Sequence, residues 1–148
     1  MFKKTLYTLL FSTVALMALE TGDAVPKNIQ EKLNLESDKV YVVDFFASWC
    51  KSCKKELPLI TKIYNEKVAK VIGINVDKHQ EDGEKLVKEL ELSFPIVYDS
   101  DKSLVEAFNP LGFPAIYYIK NGQILKVVFG AVEEIDKKIK EDIKAIKW

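Results

Sequence analysis

VVDFFASWCKSCKKELP, running from Val42 to Pro58, is the stretch whose reading decides the fold. Val40 to Phe46 is a nearly continuous run of β-branched and aromatic residues, the composition of a strand buried on both faces. The periodicity then changes. Between Lys51 and Asn65, Leu57, Ile60, Ile63 and Tyr64 recur at helical spacing, and Pro58 inside the segment predicts a kink. A buried strand therefore hands over to an amphipathic helix, and the two cysteines of the chain, Cys50 and Cys53, stand at the handover.

The same alternation continues on either side. Val25 to Leu35 (VPKNIQEKLNL) reads as a short helix with Ile29 and Leu33 on one face. Val68 to Val76 is a second buried strand, Glu81 to Leu92 a helix, Phe94 to Tyr98 a short strand and Ser103 to Phe108 a short helix. Ala115 to Lys120 and Gln123 to Phe129 are β-rich runs around Asn121-Gly122, the favoured two-residue turn of a β-hairpin. Val132 to Ile146 closes the chain as an amphipathic helix carrying Ile135, Ile139, Ile143 and Ile146. The order α-β-α-β-α-β-α-β-β-α predicts an α/β domain with a central mixed β-sheet flanked by helices on both faces.

Composition narrows the function. The chain has 148 residues, 48% of them hydrophobic, enough for one soluble domain with a sizeable core. Its 22 basic residues, all Lys, balance 22 acidic ones. A neutral chain without Arg lacks the positive field and the bidentate readers of a nucleic-acid binder. Two Cys and one His cannot supply a four-ligand zinc site within one chain, so no metal is expected. The single histidine, His79, lies in the polar stretch Lys-His-Gln-Glu-Asp and reads as a surface residue.

Residues 1–24 read as a signal peptide or an N-terminal anchor, with the domain proper in 25–148. Lys3 and Lys4 precede an uncharged, mostly apolar stretch from Thr5 to Leu19, shorter than the roughly 20 apolar residues of a spanning helix. Ala18 and Ala24 are alternative last residues before a cut. The expected location is periplasmic or otherwise extracytoplasmic, soluble after cleavage and membrane-attached without it. The cysteines then meet an oxidising compartment.

Trp49-Cys50-Lys51-Ser52-Cys53 is the chemical centre of the sequence. Attachment of a c-type haem needs His directly after the second Cys, where Lys54 stands. A purely structural disulfide over so short a ring removes little chain entropy. A redox pair fits better. A thiolate at Cys50 would lie where the unpaired N–H groups and positive dipole end of the helix favour negative charge, with Lys51 beside it. In that reading Cys50 attacks and Cys53, one turn on, resolves.

This segment resembles the active-site stretch of thioredoxin-like oxidoreductases, and VIGINVD, FPIVYDSD, Gly112-Phe113-Pro114 and YYIKNGQIL continue the resemblance in order to the C-terminus. It implies a thioredoxin fold and thiol–disulfide oxidoreductase activity by dithiol exchange, without a bound cofactor. By the same resemblance Pro114 is the family's cis-proline, and Phe113 before it, with Trp49, borders the substrate. Asp44 is matched to the buried acid under the cysteine pair, where desolvation raises its pKa and lets it relay the proton of Cys53. Pro95, though also preceded by Phe, is expected to be trans. CKKELP is similar to the exported thiol reductases of cytochrome c maturation, the ResA/TlpA type, in which an acid at the Glu56 position tunes the pair. That branch implies cysteine-containing protein substrates such as apocytochrome c, a membrane thiol carrier as electron donor, and a monomer. Two features depart from it: the helical Val25–Leu35 opening and the acid at position 44. A disulfide oxidase or isomerase of the same compartment, and a copper-binding module using the same two cysteines, are the rival readings.

Overall fold

A computed structural model describes residues 17–146, so most of the expected export segment lies outside the described residues. The elements follow the expected order one for one. They are α1 (Lys27–Lys32), β1 (Tyr41–Phe46), α2 (Lys51–Asn65), β2 (Lys70–Asn75), α3 (Gln80–Glu89), β3 (Ile96–Tyr98), α4 (Ser103–Phe108), β4 (Ala115–Lys120), β5 (Gln123–Phe129) and α5 (Ile135–Ala145). Several ends are shorter than the periodicity suggested. Leu90 already caps α3, and Glu91 turns away at φ 51°. Val25 is buried, yet it precedes α1 instead of belonging to it.

The five strands form one sheet in the order β3-β2-β1-β4-β5. β1 is its centre, parallel to β2 and antiparallel to β4, and all six of its residues are buried, as its unbroken apolar run requires. Asn121 and Gly122 take φ 51° and 70°, the paired positive values that a tight hairpin between β4 and β5 demands.

Side-chain alternation assigns the helices to faces. Asp44 lies opposite Gly73 and Ile116, and the next residue of that face on β4, Tyr118, donates its hydroxyl to Asp142 of α5 at 2.9 Å. Lys62 of α2 pairs with Asp136 of α5 at 2.9 Å, so these two helices share that face. Asn75, opposite Phe46, faces the same way and meets α3 at Gly83, where a β-carbon would strike the Asn75 side chain. On the other face Phe45 and Tyr117 stack edge-on against Phe108 of α4, with centroids 5.2 and 4.8 Å away. An ion pair from Lys32 to Asp101 at 3.1 Å joins α1 to the turn before α4.

Two further features have no counterpart in the hydrophobic pattern. The buried Asp99 carboxylate accepts the Leu104 and Val105 N–H groups at 2.9 and 2.8 Å, satisfying the first turn of α4. Ahead of α1, Leu19 N–H bonds the Phe108 carbonyl, Gly22 N–H that of Ile124, Ile124 N–H that of Asp23, and Val25 N–H that of Gly122, at 2.8–2.9 Å. This strap covers the start of β5, the edge strand, and occupies backbone groups that would otherwise be open to another chain. No helix among the described residues is long and apolar enough to cross a membrane.

Candidate active site

The sheet's parallel half ends, at the C-terminal tips of β1 and β2, in the place where open α/β sheets hold their sites. β1 delivers the chain through the turn Ala47–Cys50, closed by the Cys50 N–H to the Ala47 carbonyl at 3.1 Å, directly into α2. Cys50 is the N-cap of that helix. Its backbone is extended, and its Sγ accepts the Cys53 N–H at 3.2 Å. The two cysteines form a disulfide with Cα atoms 5.2 Å apart. Both cysteines are buried, Cys50 less completely, at 6% exposure against 1% for Cys53. The Ser52 hydroxyl lies 3.7 Å from Cys50 Sγ.

Around the pair stand the side chains expected from the sequence. Trp49 is 65% exposed and meets Phe113 edge-on at 5.8 Å. The Phe113–Pro114 peptide bond is cis, and it is the only cis bond among the described residues, so Pro95 is trans. The Pro114 carbonyl accepts the Gly130 N–H at 2.9 Å, which ties this loop to the end of β5. His79 is exposed just before α3, in agreement with its surface reading.

Two acids lie inside. Asp44, in mid-β1, is 1% exposed, and its Oδ1 has no hydrogen-bond partner. Burial pushes its pKa well above the usual carboxylate range, and the neighbouring Glu56 pushes it further in the same direction. Glu56 sits one turn after Cys53 on the inner face of α2. Its Oε1 accepts the Val132 N–H at 2.5 Å, and its Oε2 is buried without a partner. Burial raises this pKa too, and the Val132 bond partly offsets the rise. Neighbouring buried acids cannot ionise independently, because charge on one disfavours charge on the other.

Three residues of the site were not singled out from the sequence: Ser48, Asn75 and Asp77. Asp77 is 4% exposed, and its carboxylate accepts both the N–H and the hydroxyl of Ser48, at 2.9 and 2.7 Å. Their signal was positional. Asn75 ends β2 and Asp77 follows it, polar residues at the carboxyl tip of a parallel strand adjoining the cysteine turn.

Comparison with known proteins agrees with this geometry. The AhpC/TSA family model matches residues 17–128. The chain is 27% identical over 154 residues to the thiol-disulfide oxidoreductase ResA of Geobacillus kaustophilus, covering 97% of this chain and 86% of that one. The crystal structure of StoA from Bacillus subtilis superposes with a TM-score of 0.65 at 27% identity, over 73% of this chain and 84% of that one. The fold is also that of the thioredoxin domain of a thiol-disulfide oxidoreductase from Bacteroides vulgatus (TM-score 0.67, 23% identity, 85% and 99% of the two chains). A cysteine pair on a helix N-terminus, in this fold and with these relatives, places the chain in the AhpC/TSA family as a thioredoxin-like thiol–disulfide oxidoreductase whose redox pair is Cys50–Cys53.

Proposed function

We propose that this protein is exported and reduces disulfides in protein clients. The observation that carries the direction of attack is the asymmetry of the pair: Cys50 stands at the helix N-cap and is the less buried of the two, with Cys53 one turn further in. The Cys50 thiolate attacks one client sulfur, the client S–S bond breaks, and the departing client thiolate takes a proton from water. Cys53 then loses its proton to Asp44 and attacks Cys50 Sγ. This forms the Cys50–Cys53 disulfide and frees the second client thiol, so two electrons have passed to the client. Trp49, Phe113 and Pro114 border the mixed disulfide. The cysteines of apocytochrome c before haem attachment are the proposed client, and a membrane thiol carrier the electron source; the resemblance of CKKELP and the buried Glu56 support this reading.

Export is supported by Lys3 and Lys4 ahead of the Thr5–Leu19 stretch. A cut after Ala18 keeps the whole strap on β5. A cut after Ala24 removes all of its backbone bonds except that of Val25.

The reduction potential of the pair separates this proposal from an oxidase. A reductant should equilibrate near the thioredoxin end of the known range, about −270 mV, and an oxidase near about −120 mV. The matching client assay is reduction of a disulfide-bonded Cys-x-x-Cys-His peptide. A value at the oxidising end, or no reduction of the peptide, removes the proposed role.

Glu56→Gln tests the tuning. Gln keeps an acceptor for Val132 N–H and deletes the second acid, so the like-charge contribution at Asp44 disappears and its titration should move to lower pH. Carboxyl-detected NMR titration of the folded protein reads this directly, and an unmoved midpoint removes Glu56 from the tuning.

A further inference from the structure

The turn carrying Trp49 and Cys50 is held from outside the helix and the disulfide. Its central residue, Ser48, gives both of its donors to one carboxylate, Asp77, at 2.9 and 2.7 Å. Asp77 is itself held. Its Oδ2 also accepts Asn75 Nδ2 at 2.7 Å, and its own N–H returns to Asn75 Oδ1 at 3.3 Å. Lys102, in a left-handed conformation at φ 62°, reaches back to the Val76 and Asp77 carbonyls at 2.6 and 3.3 Å. Asn75, at 1% exposure, is wedged beneath Gly83 of α3, and even an alanine there would press its β-carbon into the Asn75 amide.

We propose that Asp77 is a positioning residue of the disulfide exchange, a rigid bracket that holds Ser48 and thereby fixes the angle at which the Ala47–Cys50 turn presents Cys50 Sγ and the Trp49 ring to a client. The physical case rests on how few bonds this turn has otherwise. Trp49 is mostly exposed and meets Phe113 only edge-on, and the turn is closed by the single Cys50 N–H to Ala47 carbonyl bond. Once the disulfide opens, the constraint between Cys50 and Cys53 is lost. The two bonds from Ser48 to a buried, doubly anchored carboxylate then keep the attacking sulfur in line. Exchange between sulfurs needs a near-linear approach, and a misplacement of about 1 Å can slow a positioned reaction by about a hundredfold. The bracket also gives α3 a task at the site: Gly83 seats Asn75, Asn75 seats Asp77, and Asp77 seats the turn.

This inference rests on dithiol exchange at Cys50–Cys53, and its test separates the two. In a Trp148→Phe background Trp49 is the sole tryptophan, and its emission and anisotropy in the reduced protein report the order of the turn without any client. Asp77→Asn removes one acceptor oxygen and places an amide against the Asn75 amide. It should lower kcat/KM for insulin reduction by about tenfold to a hundredfold, mainly through kcat, and lower the anisotropy of Trp49. Ser48→Ala, which leaves the backbone N–H bond, should lose less, about threefold to tenfold, and Ser48→Thr, which restores the hydroxyl, should recover it. Asp77 has a merely structural role if Asp77→Asn and Ser48→Ala lower only the melting temperature, with kcat and Trp49 anisotropy unchanged at temperatures where both are folded. That result overturns the proposal, as does a Ser48→Thr variant no better than Ser48→Ala. A wild-type protein inactive on insulin would count against the reductase reading alone, because the Trp49 anisotropy would still decide whether the bracket orders the turn.

Discussion

Cys50→Ser is expected to abolish disulfide reduction, with a loss on the order of 10⁴-fold or more in insulin turnover, as for removal of other nucleophiles. The serine hydroxyl stays protonated at neutral pH and cannot form a disulfide, so neither the attack nor the two-electron product is available. The loss would not come from unfolding. Closing so short a ring contributes about 2 kcal/mol on a chain-entropy model, and the core around β1 does not depend on it. The partner variant sharpens the assignment. Cys53→Ser leaves the attacking thiolate and removes the resolving one, so it should accumulate a mixed disulfide between Cys50 and the client, visible as an added mass that thiol reductants release. Retained activity in Cys50→Ser, or trapping through Cys53 instead of Cys50, would reverse the roles drawn from their relative burial.

Asp44→Asn is expected to do two opposite things. If Asp44 takes the proton of Cys53 as proposed, turnover should fall by about a hundredfold, the usual loss when a general base is removed. Stability at neutral pH should rise, because a neutral amide carries no cost for burying a charge at this site. The sign follows from linkage. Burial holds the folded pKa of Asp44 above its unfolded value near 3.9, so between the two the folded protein binds more protons than the unfolded chain. Stability contributed by this group is therefore full below about pH 4 and declines as pH rises through the folded pKa. Asn does not titrate, so the advantage of the variant should vanish as pH falls toward 4 and grow as pH rises. Thermal unfolding of both proteins across that range checks it. A difference that widens in acid instead would mean that Asp44 is stabilised as an anion.

The order of the ten elements was legible because each strand of the interior is a short apolar run and each helix carries a single apolar stripe. The Asn121-Gly122 turn was legible for a local reason, since few other pairs accept two positive φ values in succession. The ends of α1 and α3 were not, because Val25 and Glu91 continue a helical pattern in sequence while hydrogen bonds to other parts of the chain and a left-handed turn stop the helices.

The site divides in the same way. Spacing alone put Cys50 and Cys53 on the first turn of a helix, and composition alone argued against a four-ligand zinc site within one chain and against nucleic acid as a partner. Resemblance supplied Asp44, Glu56 and Pro114, but what makes the two acids unusual is tertiary. Glu56 lies on a helix rich in lysine and reads equally well as a surface residue; in the fold it is buried, and the segment between β5 and α5 offers it the Val132 N–H. Asp77 was invisible for a stronger reason. Its partner Ser48 is 29 residues away, and the contact exists only because β1 and β2 pair in a register that ends them side by side. Sequence by itself determined the elements, the redox chemistry and its place on a helix N-terminus, all properties carried by local residue patterns. Tertiary structure decided which cysteine is the less buried, which acids lose their water and what holds the reactive turn, because burial and long-range hydrogen bonds arise only when distant segments meet.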